Sequence, residues 1–329
     1  MYGRGAIKTD IELLVSGEGG AKLYQPVLEE GIEWTTERRS TPGKLTFSVL
    51  DDGKINFSEG SAVSLKKDGE DVFFGFVFTR KRNKKQLIDV TAYDQLRYLQ
   101  NKDTYVYENK TAAQLVRMIA ADFSLKVGTL EDTGFVIPSR VEDNNSLFDM
   151  IENALDLTLQ TRKEMYVLYD DFGKLTLRNV SNMYVDLMID EETGENYDYT
   201  SSIDSGTYDQ VKLTYENETD GRREVYIARD GANINRWGVL QYYDTLSKGE
   251  NGQTKAEALL SVYNAKTRDL KITGAFGDTR VRAGSMVPVD LDLGDIKVQS
   301  FMMAEKVKHR FEPDHHFMDL TLAGGEFGG

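Results

Sequence analysis

Three adjacent pairs of carboxylates are the residues of this chain most suited to acid–base chemistry. The pairs are Asp51/Asp52, Asp170/Asp171 and Glu191/Glu192. Glycoside hydrolysis needs two carboxyl groups that face each other across a cleft, one of them with a raised pKa. The first two pairs stand beside glycines in apparent turns, where aspartate is favoured because it hydrogen-bonds the local backbone. We therefore interpret these pairs as turn residues and predict no catalytic residue among them.

The other groups that could bind a metal or attack a substrate are sparse. The chain has no cysteine, which excludes disulfides and thiolate chemistry, and its histidines are His309, His315 and His316. Asp314 with His315 and His316 could coordinate a metal ion, but no HExxH pattern accompanies them, and a polar turn between two strands is the favoured interpretation. A Ser-His-Asp triad assembled in space stays open, although no GxSxG elbow or Walker loop is present. We predict no cofactor and no metal.

The charge of the chain is acidic but unevenly distributed. It has 54 acidic and 40 basic residues in 329, a net charge of −14, which argues against sequence-specific nucleic-acid binding because that needs a basic surface. Five cations nevertheless fall within six positions: Arg80, Lys81, Arg82, Lys84 and Lys85. Such a cluster repels itself unless it is solvated or met by a partner. A solvated hairpin tip, a contact with an acidic neighbour and DNA binding all stay open, while binding of single-stranded nucleic acid is disfavoured because the tip has no aromatic residue.

The elements that would position these residues are mainly strands. In residues 1–100, short runs rich in Val, Leu, Phe and Ile alternate with turns that contain Gly, Asp or Pro, which favours a barrel or sandwich. The runs are Ile11–Val15, Lys44–Val49, Ser61–Lys66, Val72–Arg80 and Gln86–Thr91. Within Lys44–Val49, Leu45, Phe47 and Val49 alternate with polar residues, which predicts a strand with one buried face.

The rest of the chain mixes helices with strands. A capping box of Thr111 with Gln114 predicts one helix, and Ser146 begins a second. A hairpin follows at Tyr166–Arg178, and an acidic segment at 187–206 is interpreted as a connection. Thr254 is predicted to open a third helix, with Glu257 as its capping-box partner. The predicted class is mainly β with an α/β insertion, divided into a β-barrel at 1–100, a mixed α/β domain at 101–182 and a β-barrel with an embedded helix at 183–329.

Several short motifs, in this order and spacing, resemble a known family. They are Val72–Phe78 with its central Gly75, Ala92-Tyr93-Asp94 with Leu96 and Tyr98-Leu99, Thr111-Ala112, Ser146–Ile151, Gly173–Leu177, Arg236-Trp237-Gly238, Gly277-Asp278-Thr279 and Arg282–Ser285. Together they resemble the XkdQ/YqbQ family, hub proteins of contractile phage tails and phage-like particles. The resemblance covers nearly the whole chain.

The resemblance implies a structural protein of a phage, defective prophage or bacteriocin, not an enzyme. It implies a homotrimer in which each chain contributes two tube-like barrels, so that six barrels adapt a sixfold tail tube above to a threefold spike below. The other implied partners are surrounding baseplate components, and the acidic channel would let DNA pass in a phage or stay empty in a bacteriocin. On this basis we expect Asp290 and Asp292 to line the channel and the cluster at 80–85 to face a neighbouring chain or ring. A cell-wall hydrolase and a cell-surface or carbohydrate-binding tail module stay open as alternatives.

The N-terminal sequence carries an expectation about location. Residues 1–10 have no continuous apolar stretch of the kind that a signal peptide contains. The sequence also has no run of about 18 apolar residues, the length that is needed to span a bilayer. We therefore expect synthesis in a bacterial cytoplasm without a signal peptide, no insertion into a membrane, and release with the assembled particle by lysis.

Overall fold

The computed structural model describes residues 10–29, 31–84, 86–217, 221–246, 251–292 and 297–324. Contacts divide these residues into two compact units, one formed by residues 10–198 and 270–324 and the other by residues 199–269. The fold is mainly β, which confirms the predicted class. The predicted arrangement of two barrels, and the domain boundaries at 100 and 182, stay predictions.

Strands provide most of the framework in the described residues. They are β1 Ile11–Gly17, β2 Lys22–Tyr24, β3 Ile32–Glu37, β4 Lys44–Leu50, β5 Ala62–Lys67, β6 Glu70–Arg82, β7 Leu87–Tyr93, β8 Lys102–Lys110, β9 Val127–Leu130, β10 Ile137–Ser146, β11 Tyr166–Asp170, β12 Leu175–Asn179, β13 Asn196–Ser202, β14 Gln210–Asn217, β15 Arg222–Arg229, β16 Gln241–Thr245, β17 Thr267–Phe276, β18 Met286–Asp292, β19 Lys297–Phe311 and β20 His316–Ala323.

Helices are fewer and shorter. The α-helices are α1 Ala112–Asp122, α2 Leu147–Arg162, α3 Gly231–Trp237 and α4 Gly252–Tyr263, and the 3₁₀-helices are Glu18–Gly20, Gln95–Gln100 and Val180–Asn182. Within the described ranges, no helix combines the length and the apolar character that crossing a bilayer requires.

A large sheet organises the first unit. Its strands run in the order β17, β20, β19, β3, β4, β7, β6, β5, β1, β2, and β18 pairs with β19. The long strand β19 pairs with β18 through residues 297–303 and with β3 through residues 306–311, so it joins the beginning of the chain to its end. The predicted alternation in β4 is confirmed, because Leu45, Phe47 and Val49 are buried and the residues between them are not.

The middle of the chain packs two helices against smaller sheets. The capping box that begins α1 is confirmed, since the Thr111 hydroxyl accepts from the Gln114 amide and the Gln114 side chain accepts from the Thr111 amide. Ser146 caps α2 as predicted. The predicted hairpin is β11–β12, and Gly173 closes its turn with φ of 83°, a conformation that glycine adopts without steric cost.

The second unit contains a sheet in the order β15, β14, β16, with α4 packed on one face. The prediction that Thr254 opens α4 is wrong, because the Asn251 side chain accepts from the Thr254 amide and the helix begins at Gly252. An Asn-x-x-Thr sequence caps as well as Thr-x-x-Glu does, and the two overlap here.

The acidic segment at 187–206 also differs from its interpretation as a connection. It contains β13, and its Ile189 is fully buried against Val289 of β18. The segment begins with Leu187, Met188 and Ile189 and continues with acidic and polar residues, and this order has no regular alternation that would predict an ordered segment.

Candidate functional site

The basic cluster lies at the end of the β6–β7 hairpin, as predicted. β6 continues to Arg82, and the chain turns through Asn83, whose amide donates to the Leu87 carbonyl at 3.1 Å. The fifth cation of the cluster, Lys85, lies outside the described residues.

The four described cations divide into two kinds. The Arg80 guanidinium lies over the Phe57 ring, 5.3 Å from its centroid, donates to the Phe57 carbonyl and is 3.5 Å from Glu59. Arg82 Nη2 lies 3.2 Å from Asp51 Oδ2. Lys81 and Lys84 are exposed and have no ion pair in the described part of the chain. The two lysines are therefore the part of the cluster that is available to an acidic partner.

Asp290 and Asp292 lie on the same outward face of β18. Asp290 is half-buried and accepts from Gln299 at 3.2 Å, while Asp292 is exposed and stands opposite Lys297 in the register of β18 with β19. Lys297 is also 3.8 Å from Asp290. The face is therefore polar and accessible, with its acidic charge partly offset by Lys297.

The carboxylate pairs that could have been catalytic occupy turns. Asp52 accepts from the Lys54 amide and Asp51 pairs with Arg82, so the turn interpretation of this pair is confirmed. Asp170 also caps its turn, accepting from the Gly173 amide at 2.6 Å. Unlike the others, however, Asp170 is almost fully buried, and its Oδ2 has no hydrogen-bond partner in the described residues.

Asp170 belongs to a buried polar cluster that the sequence did not predict. Asp94 lies against the same small cavity and accepts from the amides of Gly43 and Leu96 at 2.9 and 3.0 Å. Burial raises the pKa of Asp94 well above its usual range, and the charge of Asp170 raises it further. Burial also raises the pKa of Asp170 to about 6. Asp94 stands within the predicted family motif, but nothing local in the sequence links it to Asp170.

Arg282 completes this cluster. Its Nη1 donates to the Asp170 carbonyl at 3.0 Å, and its guanidinium lies 4.3 Å from the Tyr169 ring centroid. The cluster therefore joins the end of β7, the β11–β12 turn and the segment before β18. Because Asp94 and Asp170 accept their hydrogen bonds from backbone amides, the arrangement fixes the chain rather than presenting carboxylates to a substrate.

Two of the histidines form a hydrogen-bonded pair, in which His309 is buried and His316 is half-buried. His309 Nε2 lies 2.8 Å from the Val281 carbonyl, which can only accept, so Nε2 carries the proton and Nδ1 accepts from His316 Nε2 at 3.0 Å. Burial lowers the pKa of His309 to about 4 and that of His316 to about 3. The turn interpretation is confirmed for Asp314 and His315, since Glu312 and His315 exchange backbone hydrogen bonds between β19 and β20, whereas His316 is the first residue of β20. Among the described residues, no group of three or more carboxylate or histidine side chains is arranged to hold a metal ion.

Comparison with known proteins identifies relatives along almost the full chain. The family model described as YQBQ-like matches residues 32–323. YqbQ of Bacillus subtilis strain 168 is 30% identical over 327 residues, covering 95% of this chain and 96% of YqbQ. XkdQ, a protein of the phage-like element PBSX in the same strain, is 30% identical over 311 residues, covering 90% of this chain and 92% of XkdQ.

A solved structure shares the fold. The 43 kDa tail protein of prophage MuSo2 from Shewanella oneidensis superposes with a TM-score of 0.69 at 14% identity, over 94% of this chain and 98% of that protein. The architecture described above is therefore one that a phage tail protein also adopts.

Proposed function

Because this chain belongs to the YQBQ-like family, as its motifs predict, we propose that it is a structural hub of a contractile tail baseplate. The observation that carries the proposal is the family match from residue 32 to 323, since it spans both units of the fold. Two further findings support it: the kinship with a protein of a phage-like element, and the fold shared with a prophage tail protein.

The proposed hub is a ring of three chains, each contributing two tube-like barrels, which adapts a sixfold tube to a threefold spike. A closed ring of three two-barrel chains matches both the sixfold tube and the threefold spike. It also covers exposed sheet edges, which could otherwise pair with strands of other chains. Its role would rest on these surfaces and not on catalysis. In support, Asp52 and Asp170 accept hydrogen bonds from backbone amides, and Asp51 is paired with Arg82.

The first experiment is the mass of the purified chain by light scattering behind a sizing column. One chain has a mass of 37.2 kDa, so we expect a species of about 112 kDa, three chains, that persists on dilution. A mass of one chain at every concentration, together with clearing of peptidoglycan in a zymogram, would overturn the hub in favour of the hydrolase.

The basic hairpin tip is proposed to contact an acidic neighbour in the assembled baseplate. Reversal of the two exposed lysines, Lys81→Glu with Lys84→Glu, is expected to reduce particle assembly about tenfold and leave the stability of the isolated chain unchanged, because neither lysine has an internal ion pair. Particle titre and thermal unfolding measure the two effects. Unchanged titre would mean that the tip is solvated surface.

The outward face of β18 is proposed to line the channel of the ring. Asp290 and Asp292 would keep passing DNA from adhering, since like charges repel. The support is that both carboxylates lie on one accessible strand face.

A further inference from the structure

An aromatic groove lies on the outer side of β6 in the first unit. Phe74 and Phe76 point outward from this strand, and Tyr98, Phe123 and Leu125 close the groove on its other side. The groove has a volume of about 290 Å³, and these five side chains are only half-buried. The rings contact one another at ordinary distances, 5.8 Å between the centroids of Phe74 and Phe76 and 6.4 Å between those of Phe76 and Tyr98. This is an apolar surface of the kind that marks an interaction site.

Cations surround this aromatic groove. Lys126 lines it, and the Arg97 guanidinium lies 5.4 Å from the centroid of Phe78, the next outward ring of β6. Neither has a carboxylate partner in the described residues. Lys66, 5.5 Å from the Phe172 ring, is already paired with Asp71. The groove therefore suits an occupant that is both apolar and acidic.

Residues 184–192 of the same unit form an acidic ledge with that chemistry. The chain runs extended beside β18, with the amides of Val185 and Ile189 donating to β18 carbonyls at 2.9 and 2.8 Å. Because side chains alternate in an extended chain, these two residues point inward and a row points to solvent. The outward row is Tyr184, Asp186, Met188 and Asp190, followed by exposed Glu191 and Glu192.

The acidic ledge also exposes large apolar side chains. Tyr184 and Met188 are 56% and 50% exposed, and Tyr184 stacks edge-to-face on Phe301, itself 47% exposed. Asp186 is paired with Arg280 at 2.9 Å, but Glu191 and Glu192 have no ion pair in the described ranges. The ledge thus offers apolar side chains beside uncompensated negative charge.

We propose that the aromatic groove of one copy binds the acidic ledge of a second copy. Both surfaces present accessible apolar side chains. The groove adds the unpaired positive charges of Lys126 and Arg97, and the ledge adds the unpaired negative charges of Glu191 and Glu192. A contact between two different surfaces of one chain is heterologous, and such contacts close into a ring when the rotation between copies allows it. The inference rests on the proposed trimeric hub and assigns the surfaces that close it.

Charge reversal and its repair test the contact in the full-length chain. Lys126→Glu reverses the groove, and Glu191→Lys with Glu192→Lys reverses the ledge, all at exposed positions. Each reversal alone is expected to raise the dissociation constant of the oligomer at least tenfold, measured by sedimentation over a concentration series. The chain that carries all three changes restores attraction at every contact of the ring, so its dissociation constant is expected to return to within about threefold of the wild-type value.

Matched substitutions separate this contact from general surface effects. Lys266→Glu reverses an exposed lysine of the other unit, and Val262→Ser removes an apolar side chain that is 47% exposed, as a control for Met188→Ser. Only Met188→Ser is expected to weaken association. If wild type is a trimer and neither reversal raises its dissociation constant, the proposed contact is wrong and the proposed hub is unaffected. The same holds if the chain with all three changes dissociates as readily as the weaker-binding of the two reversed chains. A wild-type chain that stays monomeric would overturn both.

Discussion

Replacement of Gly75 by alanine is expected to destabilise the chain by about 3 kcal/mol and to abolish assembly. A Cβ at this position would lie 2.3 Å from the Tyr93 carbonyl oxygen and 2.6 Å from Phe73 Cζ. The first of these atoms is backbone of β7, which pairs with β6 along its length, so it cannot move without breaking the ladder. Urea unfolding of the purified chain measures the loss.

Gly231→Ala is the matched control for this substitution. An added Cβ at Gly231 meets no atom within 4 Å, and the residue is the first of α3. Its stability is expected to stay within about 0.5 kcal/mol of wild type. Equal stabilities for the two variants would contradict the packing argument for Gly75.

The same glycine shows how much of the fold could be predicted from the sequence. Gly75 lies at the centre of the strand motif by which the family was predicted, and the alternating apolar residues around it define β6 as a strand. Local signals of this kind, such as the Thr111 capping box and the alternation in β4, predict the observed helix start and the buried strand face. Each of them depends only on residues that are close in the sequence. The prediction that Thr254 begins a helix is wrong although it rests on the same capping rule, because Asn251, three residues earlier, caps the helix instead.

Long-range contacts could not be predicted in this way. β19 pairs with β3, more than 250 residues earlier in the chain, and no periodicity in either strand encodes the partner of the other. The buried cluster has the same origin. Asp170 has the sequence context of an exposed turn aspartate, as Asp52 does, and its burial depends on distant segments, including those of Asp94 and Arg282, that line the same small cavity.

The candidate surfaces were predicted in part for a related reason. Charge density located the basic hairpin tip, but only the fold shows that Arg80 and Arg82 are engaged by Glu59 and Asp51. Residues 187–206, which include the second half of the acidic ledge, are interpreted from their composition as a connection, because the alternation of exposed and buried side chains depends on pairing with β18.

The two buried clusters have opposite effects on stability as pH changes. Burial lowers the pKa of His309 from 6.5 to about 4, so between these values the unfolded chain binds a proton that the folded chain does not. Acidification through this window therefore costs about 3 kcal/mol from His309 alone. The pKa of Asp170 is raised from 3.8 to about 6, so between these values the folded chain holds the extra proton and acidification stabilises it by about 3 kcal/mol. The two contributions largely cancel in the wild-type chain.

Asp170→Asn is expected to expose this cancellation. The asparagine Oδ1 can still accept from the Gly173 amide, while the cost of an ionised buried carboxylate disappears. The variant should therefore be about 2 kcal/mol more stable than wild type at pH 7, and this advantage should shrink toward zero as the pH falls from 6 to 4, because the wild-type carboxyl becomes protonated. In the variant, Asp170 no longer offsets the loss from His309, so the free energy of unfolding of the variant should fall more on acidification than that of wild type.

Free energies of unfolding in urea between pH 7.5 and 4 test both statements. Asp52→Asn, in an exposed turn, is the control for loss of a carboxylate without burial. An advantage of Asp170→Asn that does not change with pH would mean that the gain comes from packing and not from the proton. The cluster joins β7, the β11–β12 turn and the segment before β18. We therefore expect Asp170→Asn to stabilise the contacts among these three elements, and this gain over wild type should be largest at neutral pH.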